Sequence, residues 1–269
     1  MTFLQAVVLG IIQGITEMLP VSSSTHLFVF SRLQDLPNQR LSFDIFLNIG
    51  SLLAIVVFFW SQVFDLIKGG IDFVCNKKSQ NRDFLLTIII ANIPTIILFG
   101  LADAFLDVDF HSPFVLASSM IVFALIMWWC DSKNANEVTN QTTTVSRKDA
   151  ILTGIAQVCS IVPGVSRLGA CYSMLRYSNY SRQTAFRFSM ILSLLPVAGA
   201  CFLRILKIFT GHIIIENWTL VFVGCIFSFF FGLITLSFVD SFFKKHSVLC
   251  FVVYRIIFGI FIITQYKIF

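Results

Sequence analysis

Six stretches of the chain are apolar over roughly the ~20 residues that a membrane-spanning helix needs. They cover residues 43–63, 84–101, 113–130, 184–206, 218–239 and 248–268. Asn92 and Pro94 interrupt the second, and Pro196 interrupts the fourth. Two further apolar stretches are too short or too broken to span: the opening segment through His26, and residues 150–177. Each has a proline or a Pro-Gly pair in its middle. A bilayer tolerates such broken segments only where protein or water covers their backbone, so they are read as re-entrant helix pairs. The expected fold is an all-α integral membrane protein with six transmembrane helices plus two re-entrant helix pairs.

Composition agrees. Hydrophobic residues make up 57% of the 269 residues and charged residues 12%, whereas a soluble domain carries about twice that charged share. The net charge of +5 reflects which loops face the cytoplasm, and nucleic acid is not an expected partner. Seven scattered cysteines lack CxxC or zinc spacing and read as reduced core residues. A cleaved signal is not expected, because the first basic residue is Arg32 and Gln13 and Glu17 break the opening apolar run.

The two broken stretches resemble each other. An offset of 144 superposes Ala6 on Ala150, Gly10 on Gly154, Gln13 on Gln157 and Ser22 on Ser166. An offset of 143 superposes Phe43 on Phe186. The reading is one membrane domain, 1–269, made of a first inverted repeat (1–130), a cytoplasmic connector (131–149) and a second inverted repeat (150–269). Basic residues fill alternate loops: Lys68, Lys77, Lys78 and Arg82; then Lys133, Arg147 and Lys148; then Lys244 and Lys245. Those loops are expected to be cytoplasmic, and the loop with Asp103, Asp107 and Asp109 outside. Each repeat then holds an odd number of spans, so the halves are inverted and their broken helices can meet near the midplane.

The chemistry sits at the breaks. Gln13 and Glu17 lie one helical turn apart, Pro20 stops the helix, and Ser22, Ser23, Ser24, Thr25 and His26 follow. Serines there suit a new helix start, whose free N–H groups favour an anion. The second break reads Pro163-Gly164-Val165-Ser166-Arg167, where Arg167 adds a fork matched to phosphate oxygens. A carboxylate, a titratable base, hydroxyls, an anion clamp and two helix N-termini suit phosphoryl transfer. A Walker loop and a GxGxxG are absent.

At these residues the chain resembles the undecaprenyl-diphosphate phosphatase, or bacitracin-resistance, family. The family motif E/Q-G-x-T-E followed by P-V-S-S-x-x-H is matched by Gln13, Gly14, Thr16, Glu17, Pro20, Val21, Ser22, Ser23 and His26. The motif P-G-x-S-R-S-x-x-T is matched by Pro163, Gly164, Ser166 and Arg167. Leu168 and Cys171 depart from it, standing where the family has Ser and Thr; both positions are expected to contact phosphate.

The resemblance implies hydrolysis of undecaprenyl diphosphate, recycling the carrier for peptidoglycan synthesis. It also implies a bacterial inner membrane, a site open to the periplasm, and a divalent cation, Mg²⁺ or Ca²⁺. Expected partners are the polyprenyl diphosphate lipid, the membrane and, in a homodimer, a second copy of the chain. Glu17, Ser23, His26 and Arg167 are the catalytic candidates. Ser22, Ser24, Thr25, Gly164 and Ser166 are the phosphate-binding ones, and Gln13 with Glu17 the metal ones.

Two roles stay open: Ser23 attacks with His26 as its base or leaving-group acid, or His26 activates a water and the serines bind phosphate. Gln157 is expected to be structural. Asp44, Arg187 and Arg255 are expected to snorkel or to form interhelical pairs. His111, His212 and His246 are expected in solvated loops. The competing class is a transporter or flippase for the same lipid, which would need the arginine and helix ends but no nucleophile with a base.

Overall fold

The computed structural model describes residues 1–36, 40–105, 112–133, 145–211, 215 and 217–265. Those residues form eleven α-helices and one 3₁₀ turn, with no strand among them. In chain order the helices are α1 (Phe3–Glu17), α2 (Ser23–Leu33), α3 (Arg40–Phe58), α4 (Trp60–Val74), α5 (Gln80–Phe105) and α6 (Pro113–Lys133). They continue with α7 (Arg147–Val158), α8 (Arg167–Tyr177), α9 (Arg182–Phe209), α10 (Trp218–Phe242) and α11 (Leu249–Thr264). His111 and His212 and most of the connector lie outside the described residues.

Four helices are long and apolar enough to cross a bilayer, at Gln80–Leu98, Pro113–Lys133, Arg182–Phe209 and Trp218–Phe242. Broad apolar surface faces outward on them, as on an integral membrane protein. The expected continuous span over residues 43–63 is corrected. The chain bends by 87° between Phe58 and Trp60, because the apolar run becomes periodic there. Beyond the bend Trp60, Phe64, Ile67 and Ile71 are exposed along one face of α4, while Asp65, Lys68 and Asp72 interleave with them. That is the pattern of a helix lying on an interface, not crossing it. The bent pair counts as a fifth span only if taken together, and α11, at 16 residues, is shorter than the expected sixth.

Both internal prolines lie within continuous helices, Pro94 in α5 and Pro196 in α9. Pro196 has no N–H for the Leu192 carbonyl one turn back. Asn92 of α5 supplies the missing donor: its Nδ2 donates to Leu192 O at 3.2 Å and to Ile88 O at 2.9 Å. The two residues that break the apolar pattern of their own helices therefore repair and join them.

Small residues bring the helices close. Gly10 and Gly14 of α1 pack against Gly224, Ser228 and Gly232 of α10, and Gly154 of α7 packs against Ala91 of α5. The short helix of each broken pair thus packs on a long helix from the other half. α3 also meets α9, and α6 meets α11.

A methyl group on Gly154 would collide with the Ala91 carbonyl, whereas one on Gly70 would meet nothing. Gly154→Ala is expected to destabilise by about 1–3 kcal/mol through overpacking. Gly70→Ala is expected to be neutral or stabilising by up to about 1 kcal/mol. Thermal unfolding of both purified variants in detergent checks the contrast.

Candidate active site

The two breaks face each other across a cavity of about 620 Å³. Gln13, Glu17, Ser22, Ser23 and Ser24 line it from the first break, and Gly164, Ser166 and Arg167 from the second. Local chemistry explains the two tips. Ser22 and Ser166, related by the offset of 144, precede α2 and α8 with φ of 71° and 69°. Non-glycine residues adopt that left-handed backbone only where surroundings hold it, commonly at functional sites. Ser166 Oγ accepts from Gly169 N at 3.2 Å and caps α8. Ser22 Oγ instead joins the hydroxyls of Ser24 (3.2 Å) and Thr25 (3.1 Å). Gly164 has φ of 97°, and a Cβ there would strike Ser119 of α6.

Glu17 is the centre of the hydrogen-bonding. Ser23 Oγ donates to Glu17 Oε2 at 2.5 Å, Gln13 Nε2 donates to it at 3.4 Å, and Arg167 Nη2 lies 3.8 Å from Oε1. Glu17 is the last residue of α1 and Arg167 the first of α8. Each charge therefore sits at the end of its own helix that the helix dipole disfavours. They relieve each other, and an anion against Arg167 and the start of α2 would relieve the site further.

Four expected placements differ. His26 does not line the cavity. It turns to α11, its ring stacked on Tyr254 and Phe258 at centroid distances of 5.6 and 4.6 Å. Nδ1 bonds to Ser22 O at 2.8 Å and Nε2 to Tyr254 Oη at 2.6 Å, so Ser23 is paired with Glu17 and not with His26. Thr25 is fully buried and bonds Ser22. Cys171 is buried with Sγ 3.5 Å from Gln157 Oε1, so this departure from the family motif faces the packing, whereas Leu168 does line the cavity. Asp44 lines the cavity too, as does Asn48, which accepts from Gln13 Nε2 at 3.1 Å.

Gln157 is structural as expected, buried against Asn92 (3.0 Å) and Thr95 (2.9 Å). Arg187 forms the expected interhelical pair, with Asp240 at 2.6 Å. His246 is exposed in the loop after α10.

Arg255 of α11 is corrected most. It is completely buried, and its guanidinium donates to Pro20 O at 2.9 Å, Gly164 O at 2.8 Å, Val165 O at 3.1 Å and Met120 O at 3.1 Å. One side chain thus ties both breaks to α6. Its only sequence signal was a charge in the middle of an apolar run.

For a metal, the donor chemistry fits. Gln13 Oε1 is buried with no hydrogen-bond partner, next to the Glu17 carboxylate. Hard divalent cations take such oxygens. Among the described residues no group of three or more His, Cys, Asp or Glu forms a metal cluster by itself, so substrate oxygens would complete the shell.

With this geometry in place, known proteins decide the family. Residues 6–261 match the family described as bacitracin resistance protein BacA. The chain belongs to that family. It is 32% identical over 267 residues to an undecaprenyl-diphosphatase of Moorella thermoacetica, covering 99% of this chain and 98% of the relative. It is 31% identical over 262 residues to one from Alcanivorax borkumensis, covering 97% of each, and 32% identical over 263 residues to one from Elusimicrobium minutum, covering 98% of each.

Arg255→Met keeps bulk but strips four carbonyls of their donor. Hydrogen bonds to a charged group contribute about 1.5–3 kcal/mol each, not additively. A loss of at least about 3 kcal/mol is expected, with Arg255→Lys recovering part of it. Unfolding midpoints in detergent, beside phosphate release, measure both.

Proposed function

We propose that this chain hydrolyses undecaprenyl diphosphate to undecaprenyl phosphate and inorganic phosphate, with Ser23 as nucleophile and Glu17 as its base. The observation that carries the reading is the 2.5 Å hydrogen bond from Ser23 Oγ to Glu17 inside a cavity that also holds Arg167. The names of the BacA-family relatives support the substrate.

In this mechanism the terminal phosphoryl group enters between Ser23 and Arg167. Glu17 takes the Ser23 proton as Oγ attacks phosphorus in line, and the bond to the bridging oxygen breaks. The lipid monophosphate leaves with that electron pair. Glu17 passes that proton to the departing lipid monophosphate, then deprotonates a water that attacks the phosphoserine, and returns the water's proton to Ser23 Oγ as phosphate leaves. Arg167 and the α2 and α8 N–H groups stabilise charge on the non-bridging oxygens. Ser22, Ser24 and Ser166 frame the same oxygens. Gln13 and Glu17 would hold Mg²⁺ or Ca²⁺, which supplies Lewis-acid polarisation of phosphoryl oxygens when bound. His26 becomes a positioning residue, fixing the strained Ser22 turn from the Tyr254 side.

The membrane arrangement completes the proposal. α1–α2 and α7–α8 are the re-entrant pairs; α3 with its bend, α5, α6, α9, α10 and α11 are the six spans. Residues 1–130 and 150–269 are the inverted repeats, joined by the cytoplasmic connector 131–149. The exchange of partners, α1 on α10 and α7 on α5, supports a two-fold relation between halves. The basic loops stay in the cytoplasm, and the cavity opens to the periplasmic side of a bacterial inner membrane. A homodimer would leave this cavity intact, since every catalytic group comes from one chain.

Purified protein with a C55 diphosphate in detergent tests the chemistry. Ser23→Ala and Glu17→Gln are expected to lower kcat by about 10²–10⁴-fold. Tyr254→Phe, which touches the site only through His26, should lower it less than about tenfold. Wild-type kcat in Ser23→Ala removes the nucleophile. Wild-type protein that binds the lipid yet releases no phosphate with any divalent ion favours the flippase.

A reporter fused to the C-terminus and active only in the periplasm should be on. A signal only from a cytoplasmic reporter overturns the orientation and the inverted repeat together.

A further inference from the structure

Three arginines line the cavity, and the mechanism above uses one. Arg32 stands in the last turn of α2 and Arg204 near the end of α9. Both helix ends lie on the side toward which the cavity opens in the proposed topology. Arg204 is partly buried and makes no hydrogen bond or ion pair among the described residues. Arg32 lies over the Phe28 ring at 5.3 Å and has no carboxylate partner among them.

Several other arginines among the described residues are paired with carboxylates. Arg176, the residue 144 positions after Arg32, is buried and bonded to Asp131 at 2.7 Å and to Tyr180 O. Arg182 and Arg187 are paired with Asp131 and Asp240 at 2.9 and 2.6 Å. Arg32 and Arg204 are thus two cations at one cavity with no carboxylate partner among the described residues. Arg204 shares its cavity wall with Glu17, Ser23 and Arg167.

The charges add up in the same direction. The cavity wall carries Arg32, Arg167 and Arg204 against Glu17 and Asp44. Glu17 and Arg167 face each other, which leaves two arginines and one aspartate on the rest of the wall among the described residues. A diphosphate carries two anionic groups, and a single arginine fork engages one of them fully. The apolar Leu168 side chain also lines the cavity and offers an anion no hydrogen bond.

We propose that Arg204, assisted by Arg32, is a second anion clamp that holds the lipid-linked phosphate while Arg167 holds the terminal one. This rests on the hydrolase reading above. The clamp makes the site selective for a diphosphate over a monophosphate. It binds the lipid-linked phosphate in the ground state and more strongly as the bridging bond breaks, because that phosphate takes the electron pair. Its loss therefore raises KM and also lowers kcat. After transfer the product spans one clamp instead of two, which favours its release.

The test uses the full chain in non-ionic detergent with undecaprenyl diphosphate, comparing wild type, Arg204→Gln, Arg32→Gln and the double variant. Arg204→Gln is expected to raise KM about tenfold, equivalent to about 1.4 kcal/mol, with a lowered kcat and an unchanged unfolding midpoint. Inhibition by inorganic pyrophosphate should weaken in parallel, and inhibition by orthophosphate should not. Arg204→Lys should recover part of the KM effect.

Unchanged KM and pyrophosphate inhibition in the double variant overturn the clamp. In that case the arginines serve bilayer phosphates, and the variants lose only a stimulation by added phosphatidylglycerol. If wild-type protein releases no phosphate, the hydrolase reading fails separately. Calorimetric binding of pyrophosphate to wild type and double variant then still decides the clamp, with equal affinities counting against it.

Discussion

A buried guanidinium holds the two breaks together. Arg255 gives its donors to carbonyls of Pro20, Gly164 and Val165 at the tips and of Met120 on α6. Where a helix stops inside a membrane-embedded fold, its last carbonyls lose their N–H partners and no bulk water replaces them. A charge in the same place has lost its own hydration. The two deficits cancel: the tips need donors and the arginine needs acceptors. The result positions the starts of α2 and α8 on one cavity, so Ser23 and Arg167 converge on Glu17 from separate halves of the chain.

Much of this was legible in the sequence because local rules govern it. The four-residue spacing of Gln13 and Glu17 put both on one helical face, and the Nε2–Oε2 bond follows. Pro20 and Pro163-Gly164 announced the breaks, and the offset relating Ser22 to Ser166 reappears as a shared positive φ. What stayed hidden depends on contacts distant in sequence. Ser23 and His26 are three residues apart on one helix, yet Ser23 turns to α1 and His26 to α11. Nothing within α2 chooses between those directions. Asn48, Asp44, Arg204 and Arg255 are single polar residues in apolar runs, and their roles come from whichever tip or cavity passes beside them. The bend after Phe58 was missed because the apolar run continues through residues 59–63, and only the periodicity of residues 60–74 marks a separate helix.

The environment of Glu17 also shows why a carboxylate here differs from a stray buried charge. An unpaired carboxylate in low dielectric is strongly disfavoured. Glu17 has a serine donor, an amide donor and an arginine at distances of 2.5, 3.4 and 3.8 Å. The short bond goes to the group that would lose a proton, and the longest distance to the group that would bind substrate charge. An incoming phosphate can therefore draw Arg167 away from Glu17 without breaking the Ser23 hydrogen bond, and loosening that ion pair leaves Glu17 a stronger acceptor for the Ser23 proton.

The same staple bears on transport. Broken helices in inverted halves are an architecture that many transporters use, by rocking one half against the other. Here Arg255 of the second half donates to Pro20 in the first, to Met120 in the first, and to Gly164 and Val165 in the second. Pulling the tips apart would strand a charge that is fully buried, and leaving such a group without its acceptors costs several kcal/mol. The exchanged packing of α1 on α10 and α7 on α5 resists the same motion through close glycine contacts. A fold pinned this way suits a reaction whose catalysis comes from holding groups still around a phosphoryl centre. The substrate's long hydrocarbon tail can remain in the membrane while only its headgroup reaches Ser23.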